Sequence, residues 1–165
     1  MIDGVVAETT AADAAFVAFY DRERDPLVRA LTLTLGEPEL ANEAVDEAMA
    51  RAYARWRGVG RYDNPGGWVY RVALNWARSR VRRRRFMSRA LVPERAVRDP
   101  EPVDAALWEA IAKLPFQQRS AIILRFGLDW PLDRIADAVG APVGTVKSRL
   151  SRGVASLRST LGVDA

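Results

Sequence analysis

Residues 132–150 read LDRIADAVGAPVGTVKSRL. Leu132, Ile135, Ala136 and Val139 recur at helical spacing; beyond Gly140, Ala141 and Pro142 a second stripe starts with Val143, Val146 and Leu150 and continues through Val154, Leu157 and Leu161. Gly140 permits a sharp turn, Pro142 suits a helix start, and small Ala136 lets two helices cross closely. Together these predict a helix-turn-helix. With about 100° per residue, the second helix buries Val143, Val146 and Leu150 and turns Gly144, Thr145, Ser148, Ser151 and Arg152 outward, flanked by Lys147 and Arg149. Hydroxyls and guanidiniums on such a face can reach base edges and phosphates in a major groove, and a helix N-terminus favours phosphate. A plain solvated face has the same composition, so spacing alone leaves both readings open.

Upstream, apolar spacing is helical nearly everywhere and period-two alternation is missing, which predicts an all-α chain. Phe16, Phe19 and Tyr20 mark a first helix. Asp25 and Pro26 read as an N-cap and first helical residue of a second, whose stripe Leu27, Leu31 and Leu35 stops at Gly36. A further helix is predicted over 38–56 from Leu40, Ala44, Ala48, Ala52 and Trp56, with an acidic opposite face. Four glycines and Pro65 make 57–67 a loop, after which Trp68, Val69, Val72 and Trp76 stripe a helix that runs into arginines. Over 86–102 the periodicity fails and Pro93, Pro100 and Pro102 appear, the composition of a linker between two small helical domains. Beyond it Leu107, Ile111 and Leu114 mark one helix, and Ile122, Ile123 and Phe126 another that ends at Gly127.

The chain of 165 residues carries a net charge of only +4, unevenly placed: residues 78–98 hold nine basic side chains and one acidic. Without cysteine or histidine it has no disulfides, no zinc site of the usual ligands and no imidazole or thiol catalysis; no metal or cofactor is expected. No apolar run nears the roughly 20 residues that span a bilayer, and the acidic start is no signal peptide, so a soluble cytoplasmic protein is expected.

Three further constellations stand out. Arg71, Asn75, Arg78 and Arg82 share a stripe beside Trp68, Val72 and Trp76, so the arginine cluster is an oriented face that neutralises phosphates, with Asn75 placed for base contact; a solvated charge run satisfies the same pattern. The loop holds Arg61, Tyr62, Asp63 and Asn64, suited to cradling an extruded base, although a simple connector looks the same. On the acidic helix Asn42, Glu43, Asp46 and Glu47 lie together, extended by small Ala50 and Ala54, a face for a basic protein partner or merely for solvent.

Taken together these strings resemble the extracytoplasmic-function (ECF) group of bacterial sigma factors, of the sigma-70 family. The resemblance rests on Ala41-Asn42-Glu43-Ala44-Val45-Asp46-Glu47 with Trp56, and on Trp68-Val69-Tyr70-Arg71-Val72-Ala73-Leu74-Asn75. It continues in Leu114-Pro115, Gln118-Arg119, Ile135-Ala136, Gly140, Gly144-Thr145-Val146-Lys147-Ser148-Arg149-Leu150 and Leu157-Arg158. It implies a sigma2-like domain over 11–86, a linker over 87–102 and a sigma4-like domain over 103–162. It further implies that Asn42, Glu43, Asp46 and Glu47 dock on the beta-prime clamp helices of RNA polymerase core, and that the sigma4-like domain meets the beta flap. Arg61, Tyr62 and Asn64 would capture a base flipped from the −10 element, with Arg71, Asn75, Arg78, Ser79, Arg82 and Arg83 along the −10 region. Gly144, Thr145, Lys147, Ser148, Arg149 and Arg152 would read the −35 element. An anti-sigma factor is an expected partner, a membrane is not, and no enzymatic activity is implied.

Departures from the pattern are Glu43 and Asp46 where Asp and Gln are usual, Arg134 in place of Glu, and Gly153 where Ala is preferred. An interior glycine costs a helix about 0.5–1 kcal/mol against alanine, so these departures predict a second domain that is tolerably less stable or that reads its element differently. Two other readings remain. A free-standing helix-turn-helix regulator acting without polymerase explains the C-terminal half but leaves the acidic helix and the arginine stripe unassigned. A nucleic-acid enzyme working through carboxylates lacks a suitably spaced set.

Overall fold

The computed structural model describes residues 2–87 and 102–163, all-helical as the spacing predicts. In the N-terminal half α1 (Ile2–Leu35) packs along α2 (Pro38–Ala54), a single turn α3 (Trp56–Val59) follows, and α4 (Pro65–Met87) lies across both. The C-terminal half holds α5 (Pro102–Lys113), α6 (Phe116–Ile122) continued by a π-helical turn (Ile123–Gly127), α7 (Leu132–Val139) and α8 (Val143–Leu161). The linker expected over 87–102 lies almost wholly outside the described residues.

Four expectations about the elements are corrected. Pro26 starts no new helix: α1 runs through it, because Phe19 before it and Leu27, Ala30 and Leu31 after it are buried in one core, and that packing outweighs the missing amide donor. The loop 57–67 is helical at its start, where α3 buries Val59 and sets Trp56 against Phe16 and Phe19, with ring centroids 5.3 and 4.9 Å apart. Phe126 does not face the core but is 67% exposed, since a π turn adds a residue and rotates the later positions off the stripe. Val143, expected in the core, sits at the rim, 39% exposed.

Buried side chains of both halves join in one apolar cluster. It runs from Phe19, Leu31 and Val45 through Val69 and Ala73 to Leu124, Trp130, Ile135 and Val146. At its centre the fully buried Tyr70 hydroxyl bonds Ser120 Oγ at 2.9 Å and lies 3.4 Å from Thr34 Oγ1, tying α4 to α6 and α1. Burial raises the Tyr70 pKa against the pull of those hydroxyls, so the phenol stays protonated. Trp130 packs edge-on to Tyr70 at 6.3 Å.

Gly153 is explained by α6. A Cβ there would lie 2.9 Å from Ile122 Cγ1 and 3.2 Å from its Cδ1, so the glycine lets the two helices approach. Gly153→Ala gains about 0.5–1 kcal/mol of helix propensity and loses about 1–3 kcal/mol to overpacking. We expect a net destabilisation of about 1 kcal/mol, read as a lower urea midpoint at unchanged m. A variant more stable than wild type would show that Ile122 yields freely.

Candidate nucleic-acid interface

α7 ends where Gly140 takes the left-handed conformation, φ 63°, which a side chain disfavours, and Ala141 N–H returns to the Ala136 carbonyl at 3.1 Å. The chain then restarts at Pro142, whose carbonyl accepts the Thr145 and Val146 amides at 3.0 and 3.1 Å. Val146 is wholly buried, which fixes the rotation of α8. Gly144, Lys147, Ser148, Ser151 and Arg152 are consequently exposed and Thr145 and Arg149 half-buried, as the wheel predicts. Ser148 Oγ donates to the Thr145 carbonyl at 3.0 Å. This face can enter a groove.

The other cationic element is α4. Asn64 caps it, its Oδ1 accepting the Gly67 amide at 2.9 Å, with Pro65 at the first helical position. The arginine cluster divides by face. Arg80 lies 3.9 Å from Glu43 and Arg84 3.5 Å from Glu37, so these two tie α4 to α2. Asn75, Arg78, Arg82 and Arg85 instead line a 640 Å³ cavity together with Leu40, Val81 and Phe116. Arg83 is exposed and Ser79 half-buried. Beside the start of α4, Arg61, Tyr62, Asp63, Asn64, Trp68 and Arg71 line a second cavity of 420 Å³, with Asp137 of α7 on its rim. The structure thus brings the loop residues together around one hollow, of a size within the usual range of about 300–1,000 Å³ for ligand pockets.

On α2 the acidic face is held by intramolecular cations. Asp46 pairs with Arg24 at 2.8 Å and Glu47 with Arg51 at 2.8 Å, while Asn42 donates to the Pro38 carbonyl at 3.0 Å and accepts from Arg24 at 3.4 Å. Each carboxylate remains two-fifths to one-half exposed, and Ala50 and Ala54 beside them are exposed too. Such pairs at high dielectric are worth about 0–1 kcal/mol each, so a cationic partner can displace them.

Two organising residues escape sequence reading. Arg119 donates to the Ala112 and Leu114 carbonyls at 2.8 and 3.0 Å, capping α5, and to the Thr34 carbonyl of α1 at 3.0 Å. Arg134 reaches Glu23 of α1 at 3.1 Å with its guanidinium 4.0 Å from the Trp130 ring. Nothing in the spacing marks the Thr34 and Glu23 contacts, since both lie far back along the chain.

An all-α chain that presents a helix-turn-helix with a cationic outer face, beside a second arginine-bearing helix far from it in sequence, falls in the class of helix-turn-helix DNA-binding proteins. Residues 104–157 match the sigma-70 region 4 family. Over 170 aligned residues the chain is 34% identical to the ECF RNA polymerase sigma factor SigL of Mycobacterium tuberculosis, covering 94% of each. Against SigW of Bacillus subtilis identity is 27%, covering 89% of each. The fold is similar to that of the sigma factor RpoE of Bartonella quintana, solved with the anti-sigma factor NepR, at TM-score 0.72 and 22% identity over 91% of this chain and 98% of that one. The protein belongs to the ECF group of RNA polymerase sigma factors. It works with RNA polymerase in promoter recognition, and the reading as a regulator that acts without polymerase is set aside. Among the described residues no helix is long and apolar enough to cross a membrane.

Proposed function

We propose that the two halves act as separate promoter readers on polymerase core, a sigma2-like domain over 11–86 and a sigma4-like domain over 103–162 joined by 87–102. Glu43, Asp46 and Glu47, with Asn42, dock on the beta-prime clamp helices, exchanging intramolecular cations for those of the partner; the sigma4-like domain meets the beta flap. The 420 Å³ hollow of Arg61, Tyr62 and Asn64 takes a base flipped from the −10 element. Arg71, Asn75, Arg78, Ser79, Arg82 and Arg83 follow the −10 strand, while Thr145, Lys147, Ser148, Arg149 and Arg152, with Gly144 at the helix start, enter the −35 major groove. The protein works in the cytoplasm, performs no chemistry of its own, and is held inactive by an anti-sigma factor, as NepR accompanies RpoE.

The observation that carries this reading is the pairing of two cationic faces with an acidic one in a single chain. A regulator that met only DNA would have no use for carboxylates that repel phosphate. The test is to mix the purified protein with core polymerase, follow co-elution, and select promoters from a randomised library with the complex. Co-elution and an enriched two-part motif are expected; a chain that elutes apart from core ends the reading.

A further inference from the structure

The stripe of α4 assigned to the −10 element does not stop at its arginines. Asn75, Ser79, Arg82 and Phe86 follow one another at intervals of four, three and four residues, and eleven residues bring a helix round three turns to within about 20°. Phe86 therefore continues the face that begins at Asn75. It is 91% exposed, more than any other large apolar side chain among the described residues, and sits on the last turn of a helix that ends at Met87. A lone apolar side chain at the surface needs no explanation by itself. What sets Phe86 apart is its place, with Arg82, Arg83 and Arg85 exposed beside it. Arg80 and Arg84, half a turn round the helix from Arg82, are tied instead to Glu43 and Glu37 of α2 at 3.9 and 3.5 Å. Those contacts, with the Arg80 guanidinium 5.5 Å from the Trp76 ring centroid, turn the Phe86 side of α4 away from α2.

Length decides what Phe86 reaches. Eleven residues rise about 16 Å along a helix, the span of about five base steps at about 3.4 Å each. On the −10 reading, the hollow for the flipped base adjoins the start of α4, at Asn64 and Trp68. The connection to the half that meets the −35 element leaves from the other end of α4. The helix thus runs from melted DNA toward the duplex upstream, and Phe86 stands over base pairs that are still closed. Guanidiniums there neutralise phosphates. An aromatic ring held among them and facing water has the chemistry of an apolar wedge, which enters between two base pairs, unstacks them and kinks the duplex.

We propose that Phe86 inserts between base pairs of the duplex just upstream of the −10 element, held over the groove by Arg82, Arg83 and Arg85. The proposal rests on the −10 reading of α4 and adds to it an uncharged contact with closed DNA. Unstacking at this boundary also lowers the work of melting the pairs beside it.

The test uses the full chain assembled with polymerase core, on promoter duplexes that carry 2-aminopurine, which brightens when unstacked, at each position in turn upstream of the −10 element. Wild type should brighten one step. Phe86→Ala should leave that step dark and bind the promoter on the order of tenfold more weakly, the loss of one base–aromatic stack. Because Phe86 is uncharged and exposed, the salt slope, core affinity and helix content should keep their wild-type values. Phe86→Leu retains a wedge and should retain most of the binding. Phe86→Lys adds a phosphate contact without a wedge and should still leave the step dark. The proposal is overturned if no step brightens in wild type, if Phe86→Ala binds promoters as wild type does, or if its defect appears in core affinity instead. A bright step with Phe86→Lys overturns it as well. Asn75→Ala in the same holoenzyme separates the two readings: promoter binding indifferent to Asn75 removes the −10 assignment and the wedge with it. A holoenzyme sensitive to Asn75 but indifferent to Phe86 removes the wedge alone.

Discussion

Reversing Glu43 and Asp46 together to Lys is expected to weaken binding to polymerase core by at least about 3 kcal/mol, on the order of a hundredfold in Kd. The size comes from replacing two attractions by two repulsions at a docking face, where close charge pairs couple by about 1.5–7 kcal/mol. Within the folded chain the same change is mild. Glu43 and Asp46 are half-exposed and their partners Arg80 and Arg24 can turn to solvent, so each lost pair costs about 0–1 kcal/mol. Helix content should therefore persist, and DNA affinity of the free chain should stay level or rise as repulsion from phosphate falls. Equal core affinity for wild type and the double variant, measured by titration of labelled protein, would remove α2 as the docking element.

The legible part of the sequence was local. Gly140 and Pro142 punctuate the helix-turn-helix from within three residues, and the structure keeps the boundaries of α7 and α8 where those residues put them. The outward face of α8 was legible too, because one buried residue, Val146, fixes the rotation of a whole helix. Pro26 misled for the same reason: a local rule was applied where Phe19 and Leu27, on either side, are held by one core. Phe126 misled because periodicity assumes a uniform helix and the π turn is not one. Spacing also put Asn75, Arg78 and Arg82 on one side of α4, where they line one cavity, but did not identify their neighbours. Arg71 and Arg78 share a stripe on a wheel, yet one meets α7 and the other Phe116, a distinction set by tertiary packing. The Tyr70, Ser120 and Thr34 hydroxyl cluster was invisible, since Thr34 and Ser120 lie 36 and 50 residues from Tyr70 and no spacing links them.

The same difference in surroundings predicts how the two proposed DNA contacts fail. Arg82 lines an open, arginine-rich cavity in which Arg78 and Arg85 supply neighbouring charge, so it acts as one counter-charge among several. Arg82→Ala should weaken holoenzyme binding similarly on all promoters and lower the salt slope by about one unit. Arg152 is exposed on α8, on the side away from buried Val146, where a guanidinium can reach base edges directly. Arg152→Ala should cost about 1–3 kcal/mol and relax preference at particular −35 positions. Binding of both variants to a library of −35 sequences at several salt concentrations distinguishes these outcomes. An identical, sequence-independent loss for Arg82→Ala and Arg152→Ala would mean that α8 reads no bases and that both surfaces are electrostatic anchors.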